Sequence, residues 1–231
     1  MRISKREAGL EGLSALEWIV RCQPEGGLAG IGYDVENTWF GSVDAEVLYA
    51  MVIKLHPGRI IEVGSGHSTA IALAAMRSNL ADGWGGTIVA VDPDPRAVLD
   101  PVIDHRRVRL EDAPRELFDW LVDGDILFID SSHKWAPGND VDILYHEVLP
   151  ALRSGVVVHA HDIFLPDPYP ETWSDRAYDE QGHLQALLDT GQWDVLWSSH
   201  QKQASSPEAL AAAFASYTPD RWPGSFWMVK R

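Results

Sequence analysis

The chain has 231 residues, 45% hydrophobic and 23% charged, the balance of one globular domain that can bury a core. Its 34 acidic residues against 19 basic ones leave a net charge of −15, which argues against a nucleic-acid partner and against an anionic membrane surface. The only cysteine, Cys22, excludes an internal disulfide framework and a cysteine-based zinc site.

The opening MRISKREAGLEGLSALEWIV is basic and then amphipathic, without the apolar core of a signal peptide. No apolar run approaches the length of a membrane span, so a soluble, cytoplasmic protein is expected. Residues 10–21 and 44–55 read as amphipathic helices joined by the Gly-rich QPEGGLAGIGYDVENTWFG, with Asp44 as N-cap of the second. Residues 1–57 are expected to form a helical cap or lid, and a candidate homodimer contact, on a core of residues 58–231.

From residue 59 onward, short apolar runs alternate with stretches of helical spacing. Strands are predicted at RIIEVG (59–64), TIVAVD (87–92), VRLED (108–112), DILFID (125–130), GVVVHAHD (155–162), WDVLWSS (193–199) and SFWMVK (225–230). Helices are predicted over 67–78, 96–99, 114–121, 140–152, 180–190 and 207–217. This alternation predicts an α/β fold with a doubly wound, seven-stranded, mostly parallel sheet. The irregular FLPDPYPETWSDRAYD (164–179) leaves a strand end on the ligand-binding edge and reads as a lid.

The sharpest local signal is Glu62-Val63-Gly64-Ser65-Gly66-His67-Ser68-Thr69, where the first strand hands over to a helix. Glycines allow a tight turn and close approach to a ligand, a helix N-terminus offers N–H groups, and Ser68 and Thr69 add hydroxyls. A plain structural turn is the other reading. Asp92 ends the second strand, where nucleotide-binding sheets hold ribose hydroxyls. It lies 28 residues beyond Gly64, further than the ~20 of a dinucleotide fingerprint, and the third fingerprint glycine is missing. Asp112-Ala113 closes the third strand at the same edge, as a ligand contact, a cap before Pro114, or both.

Asp130 ends the fourth strand, and His161-Asp162 ends the fifth. In a parallel sheet these ends sit together, so Asp130, His161 and Asp162 can converge on a divalent cation such as Mg²⁺, Mn²⁺ or Fe²⁺. His133, three residues past Asp130, is then placed to take a proton from a bound hydroxyl. The plainer alternative is a turn-capping Asp130 and a surface His133. His159 reads as a packed neighbour of His161. Tyr33, Trp39, Phe40 and Trp173 are candidate pocket walls, whereas Trp193, Trp197 and Trp227 read as core.

EVGSGHST, VDPD and seven strand-like runs ending in an aromatic strand resemble the class I S-adenosylmethionine-dependent methyltransferases over roughly residues 40–231. The resemblance implies cofactor contacts from Glu62, Gly64, Ser65, Gly66, Asp92 and Asp112, with Ser68 and Thr69 replacing the last glycine of the loop. Asp130, Asp162 and His133 resemble the metal and base positions of the metal-dependent O-methyltransferases of catechol and macrolide-sugar type. His161 stands where those enzymes carry a carboxylate. TWFGSVDAEVLYAM (38–51) resembles their cofactor-covering segment and implies Phe40 and Ser42 near the methyl donor.

The expectation is therefore a small-molecule O-methyltransferase using S-adenosylmethionine and a divalent cation. Its acceptor is expected to be neutral or cationic and partly apolar, such as a sugar, a phenol or a natural-product intermediate. Metal-free N-methylation is the alternative within the class. An NAD-dependent oxidoreductase or a non-catalytic binding protein on the same sheet are the alternatives outside it.

Overall fold

A computed structural model describes residues 14–231, so the predicted helix over 10–21 begins outside the described residues. The strands are β1 (Arg59–Val63), β2 (Thr87–Val91), β3 (Asp104–Arg106), β4 (Ile126–Ile129), β5 (Val157–Ala160), β6 (Trp193–Ser198) and β7 (Phe226–Lys230). They form one sheet in the order β3-β2-β1-β4-β5-β7-β6. β1 pairs in parallel with β2 and β4, and β2–β3 and β4–β5 are parallel too. Only β7, wedged between β5 and β6, runs antiparallel.

The two-residue period of a strand sends neighbours to opposite layers. Ile60 and Phe128 join the cluster under α1 (Ala15–Arg21), α3 (Asp44–Leu55) and α4 (His67–Ala81), together with Leu28 of the short α2 (Gly27–Gly30). Ile61, Val63, Leu127 and Ile129 face the opposite cluster. That layer is built from α5 (Asp140–Ile143), a π-helical stretch Leu144–Val148, α6 (Leu149–Ala151) and α7 (Glu180–Leu188). Two C-terminal helices, α8 (Ser199–Ser205) and α9 (Pro207–Ala213), follow β6.

The first described helix is held by a capping box in which Ser14 and Glu17 bond each other's backbone. Helix α3 is buried along nearly its whole length, because it lies between α1 and α4 and not on an outer surface. The chain leaves β1 for one layer and β4 for the other, so the connections from these two adjacent strand ends diverge to opposite sides of the sheet. Open α/β sheets bind ligands in such a crevice.

Three expectations are corrected. The third strand is Asp104–Arg106 and not 108–112, because β2 ends at Val91, whose ladder partner is Arg106; residues 110–112 form a 3₁₀ turn that buries Leu110. The segment predicted as a helix over 96–99 is irregular. Asp44 is the first helical residue of α3 and not its N-cap, which is Val43. Its carboxylate instead accepts from the backbone N–H groups of Gly224 (2.8 Å) and Ser225 (3.0 Å), tying α3 to the entry of β7. Among the described residues no helix is long and apolar enough to cross a membrane.

Gly64 has φ +81°, and a Cβ there would fall 1.8 Å from the carbonyl oxygen of Asp130. The glycine is thus required for the β1 exit to close against the β4 exit. Gly64→Ala should lower the unfolding free energy by about 2 kcal/mol or more, through overpacking plus a disfavoured backbone. Urea denaturation measures it.

Candidate active site

A cavity of about 940 Å³ opens at the C-terminal ends of β1, β2, β4 and β5. Of the residues singled out by sequence, Phe40, Ser42, Gly64, Ser65, Ser68, Asp92, Asp130, His133, His161 and Asp162 line it. Trp39 and Trp173 line it as well, whereas Tyr33 stands behind the wall and donates its hydroxyl to the carbonyl of Phe40.

Glu62, Gly66, Thr69, Asp112 and Ala113 are not in the wall. Glu62 is buried beneath the glycine loop, where Ser68 Oγ donates to one carboxylate oxygen (2.5 Å) and Thr69 Oγ1 to the other (2.7 Å). The two hydroxyls expected to meet a ligand are thus turned inward onto Glu62. Gly66 donates its N–H to Thr69 Oγ1 and backs onto Arg96. Asp112 falls in the 3₁₀ turn, and Ala113 packs into the cluster on the far side of the sheet, so Glu111 faces the cavity instead.

In the half of the cavity beside the glycine loop, Asp92 Oδ2 accepts from Ser65 N–H (2.7 Å) and Ser65 Oγ (2.9 Å), and its Oδ1 accepts from Asp94 N–H (2.8 Å). This locks the loop to the end of β2, saturates Oδ2 and leaves one lone pair free on Oδ1. The roof is the segment around residues 37–42, cross-braced by Asn37, whose side chain accepts from Trp39 N–H and Phe40 N–H. Trp39 lies under the guanidinium of Arg96 at 4.4 Å. Arg221 bonds the carbonyls of Val35 and Asn37 and the carboxylate of Glu36, clamping the roof to the segment that precedes β7.

The other half of the cavity holds a dense charged cluster. Asp130 Oδ1 lies 3.2 Å from His133 Nε2 and 3.4 Å from His161 Nδ1. Asp162 places Oδ2 3.7 Å from His133 Nε2 and Oδ1 3.6 Å from His161 Nδ1. Each imidazole is also gripped from behind. His161 Nε2 faces buried Asp44 at 3.3 Å, and His133 Nδ1 faces buried Glu180 at 2.7 Å. Tyr145, carried by the π-helical stretch, donates its hydroxyl to the second oxygen of Glu180 at 2.7 Å.

Burial by itself pushes both imidazoles down, but Asp130 and Glu180 override it at His133, and Asp130 and Asp162 override it at His161. Both histidines are held well above their usual range. Burial works to raise Asp130, yet His161 and His133 hold it far below the usual carboxylate range. Burial wins at Asp162, which is raised despite the two imidazoles.

His133 and Asp162 adopt left-handed backbone conformations, φ 60° and 55°. Such strain in non-glycine residues costs about 1–3 kcal/mol each and collects at functional sites. His159 is fully buried, stacks on Phe128 at 4.0 Å and faces Ser225 Oγ at 2.8 Å, which is the packing role read from sequence.

Sequence reasoning missed Asp44, Glu180, Tyr145, Arg176 and Tyr178. Asp44 and Glu180 carried a signal only as helix-start acids, because their partners lie 117 and 47 residues away. Among the described residues, no group of three or more His, Cys, Asp and Glu side chains forms a preset metal cage. Asp130, His161 and Asp162 are brought together, but against one another and with His133 among them.

Residues 61–163 match the family described as "Methyltransferase domain". The fold is similar to that of an O-methyltransferase from Bacillus cereus in complex with SAH, at 12% identity and a TM-score of 0.51, over 98% of this chain and 95% of that one. It is similar also to cofactor-bound Rv0187 from MTB, at 14% identity and a TM-score of 0.51, over 97% and 94% of the two chains. No curated protein matches the chain. The resemblance to class I S-adenosylmethionine-dependent methyltransferases is borne out by this match and by the seven-stranded sheet.

Burial pushes the Glu62 carboxyl up to about 8, against the pull of the Ser68 and Thr69 hydroxyls. The folded state therefore holds a proton that the unfolded chain releases near pH 4.5. The resulting stability falls as pH rises from about 5 through 8. Glu62→Gln removes this titration, so its melting temperature should decline less across that interval than that of the unsubstituted protein. Thermal unfolding in a pH series reads the difference.

Proposed function

From the premise of a methyltransferase domain on residues 61–163, we propose that the chain transfers the methyl group of S-adenosylmethionine to a hydroxyl oxygen of a small molecule, with His133 as general base. The observation that carries this reading is that the glycine loop with Asp92 and the Asp130–His133–Asp162 cluster open into one cavity. Its volume is within the range of about 300–1,000 Å³ common for small-molecule sites.

The cofactor half fits the nucleoside and amino-acid parts of S-adenosylmethionine. Asp92 keeps a free lone pair on Oδ1 for a ribose hydroxyl, Ser65 and Ser68 bring the start of α4 to the wall, and Glu111 lines the same cavity. Phe40 and Ser42 close the cavity between the two halves. When bound, S-adenosylmethionine supplies an electrophilic sulfonium methyl group. A divalent cation held by Asp130, His161 and Asp162 would have to take the place of the contacts that His161 Nδ1 makes with both carboxylates, while Asp44 held its rear nitrogen. A cation there would supply charge that favours the alkoxide form of a neighbouring hydroxyl.

Each protein group has a defined task. Glu180 accepts the Nδ1 proton of His133, so Nε2, beside Asp130, is the nitrogen that acts as proton acceptor once pH has risen enough to release the proton the carboxylates favour there. Tyr145 saturates the other Glu180 oxygen and keeps that acid from rotating. Phe40, packed 5.0 Å from His161, and Trp39 exclude water from the space between donor and acceptor. Positioning two reactants in one cavity supplies most of the acceleration, and proton removal supplies the rest.

The experiment is methyl transfer from S-adenosylmethionine to a panel of hydroxyl acceptors, with and without Mg²⁺, Mn²⁺ or Fe²⁺, alongside His133→Ala. The substitution should lower turnover by about 10²–10⁴-fold while S-adenosylhomocysteine still binds. Full activity in the variant overturns the base. Activity unchanged by a chelator removes the cation. The carboxylates around His133 favour its protonated form, so the rate should climb with pH beyond the ordinary imidazole range, and a flat pH–rate profile contradicts the assignment.

A further inference from the structure

The wall of the cavity beyond His133 is aromatic, with one cation set into it. Tyr178 lies 4.6 Å from the His133 ring, and Trp173 meets Tyr178 edge-on at 6.0 Å. The guanidinium of Arg176 lies over the face of Trp173 at 3.7 Å, with Tyr178 at 5.6 Å. All three residues belong to the 164–179 segment and line the cavity.

Arg176 differs from the other arginine at this end of the cavity. Arg221 spends its donors on the carbonyls of Val35 and Asn37 and on Glu36. Arg176 forms no hydrogen bond among the described residues; its nearest acid is Asp162, at 3.8 Å from Nη1, and its side chain is 46% exposed. A guanidinium has five N–H donors in a rigid fork. Trp173 covers the guanidinium, Nη1 lies 3.8 Å from Asp162 Oδ2, and the donors of this cavity-lining side chain make no hydrogen bond among the described residues. Such a fork matches a carboxylate bidentately.

Resting on the methyl-transfer reading above, we propose that the acceptor is a hydroxylated aromatic ring bearing a carboxylate, and that Arg176 is the residue selecting for that anion. Arg176 Nη1 is 3.8 Å from Asp162 Oδ2, which is 3.7 Å from His133 Nε2, so one small ring spans both the base and the guanidinium. Tyr178, beside the His133 ring, packs against the acceptor ring, and Trp173, whose face carries the guanidinium, closes the wall behind Arg176. The protein's net charge of −15 opposes an anion at long range, but bulk salt screens it beyond about 10 Å, and the cation within contact distance decides. The acceptor thus carries the charge opposite to that suggested by the composition.

The test is calorimetric titration of the protein preloaded with S-adenosylhomocysteine, using 2-, 3- and 4-hydroxybenzoate and the three matching hydroxybenzamides. Each amide keeps the shape of its acid and loses the charge. At least one acid should bind about tenfold or more tightly than its amide. Arg176→Gln should bring the pair to near-equal affinity with S-adenosylhomocysteine binding unchanged, which also shows that the variant folds. Arg176→Lys, with a charge but no fork, should retain only part of the preference. Amides that bind as well as acids, a variant that weakens both alike, or no hydroxybenzoate binding at all would each overturn the proposal. Arg176-dependent preference without methylated product would leave the anion site standing and remove the methyl-transfer reading instead.

Discussion

The burial of two imidazoles between carboxylates is the interaction on which the rest of this site depends. His133 and His161 meet Asp130 and Asp162 on the cavity side and Glu180 and Asp44 behind. A buried charge is costly unless it is paired, so none of these six side chains is independent of the others. Their partners come from β4, β5, α3 and α7 and the loops between them. The cluster therefore fixes both layers of the fold to the C-terminal edge of the sheet, at the crevice where the connections after β1 and β4 part to opposite sides.

Two supports keep that arrangement in place. Asp44 bonds the backbone of Gly224 and Ser225 as well as His161, so the start of α3, the exit of β5 and the entry to β7 share one carboxylate. Glu180 takes both His133 and Tyr145, and the N–H groups of Asp179 and Glu180 reach the carbonyl of His133 at 3.1 and 3.4 Å. The start of α7 thus holds the strained backbone of the 131–135 turn. The segment carrying Trp173, Arg176 and Tyr178 ends at this same point, so the aromatic wall and His133 are anchored together. Charge opposite in sign to the whole molecule can then be presented locally, by one arginine on an aromatic face.

The sheet, its seven strands and the glycine loop were legible in the sequence because they follow from local signals. An apolar run of four to six residues with turn residues on either side folds as a strand wherever both of its faces are covered, as at β1, β4 and β5. The third strand was displaced because its extent is set by its partner: β2 ends at Val91, so the ladder ends at Arg106 however regular the pattern beyond it. Ser68 and Thr69 illustrate a second limit. Their hydroxyls sit in the expected loop, yet the nearest buried acid, Glu62, takes both.

By itself, the sequence determined the α/β class, the order of strands and helices, and the placement of Asp130, His133, His161 and Asp162 at neighbouring strand ends. Periodicity and parallel connection specify these without reference to any distant residue. Only the tertiary structure decided that Asp44 and Glu180 stand behind the two histidines, that Glu111 and not Asp112 faces the cavity, and that Arg176 lies on Trp173. Those contacts join residues far apart in the chain or turn a side chain by one position, and no local pattern encodes either.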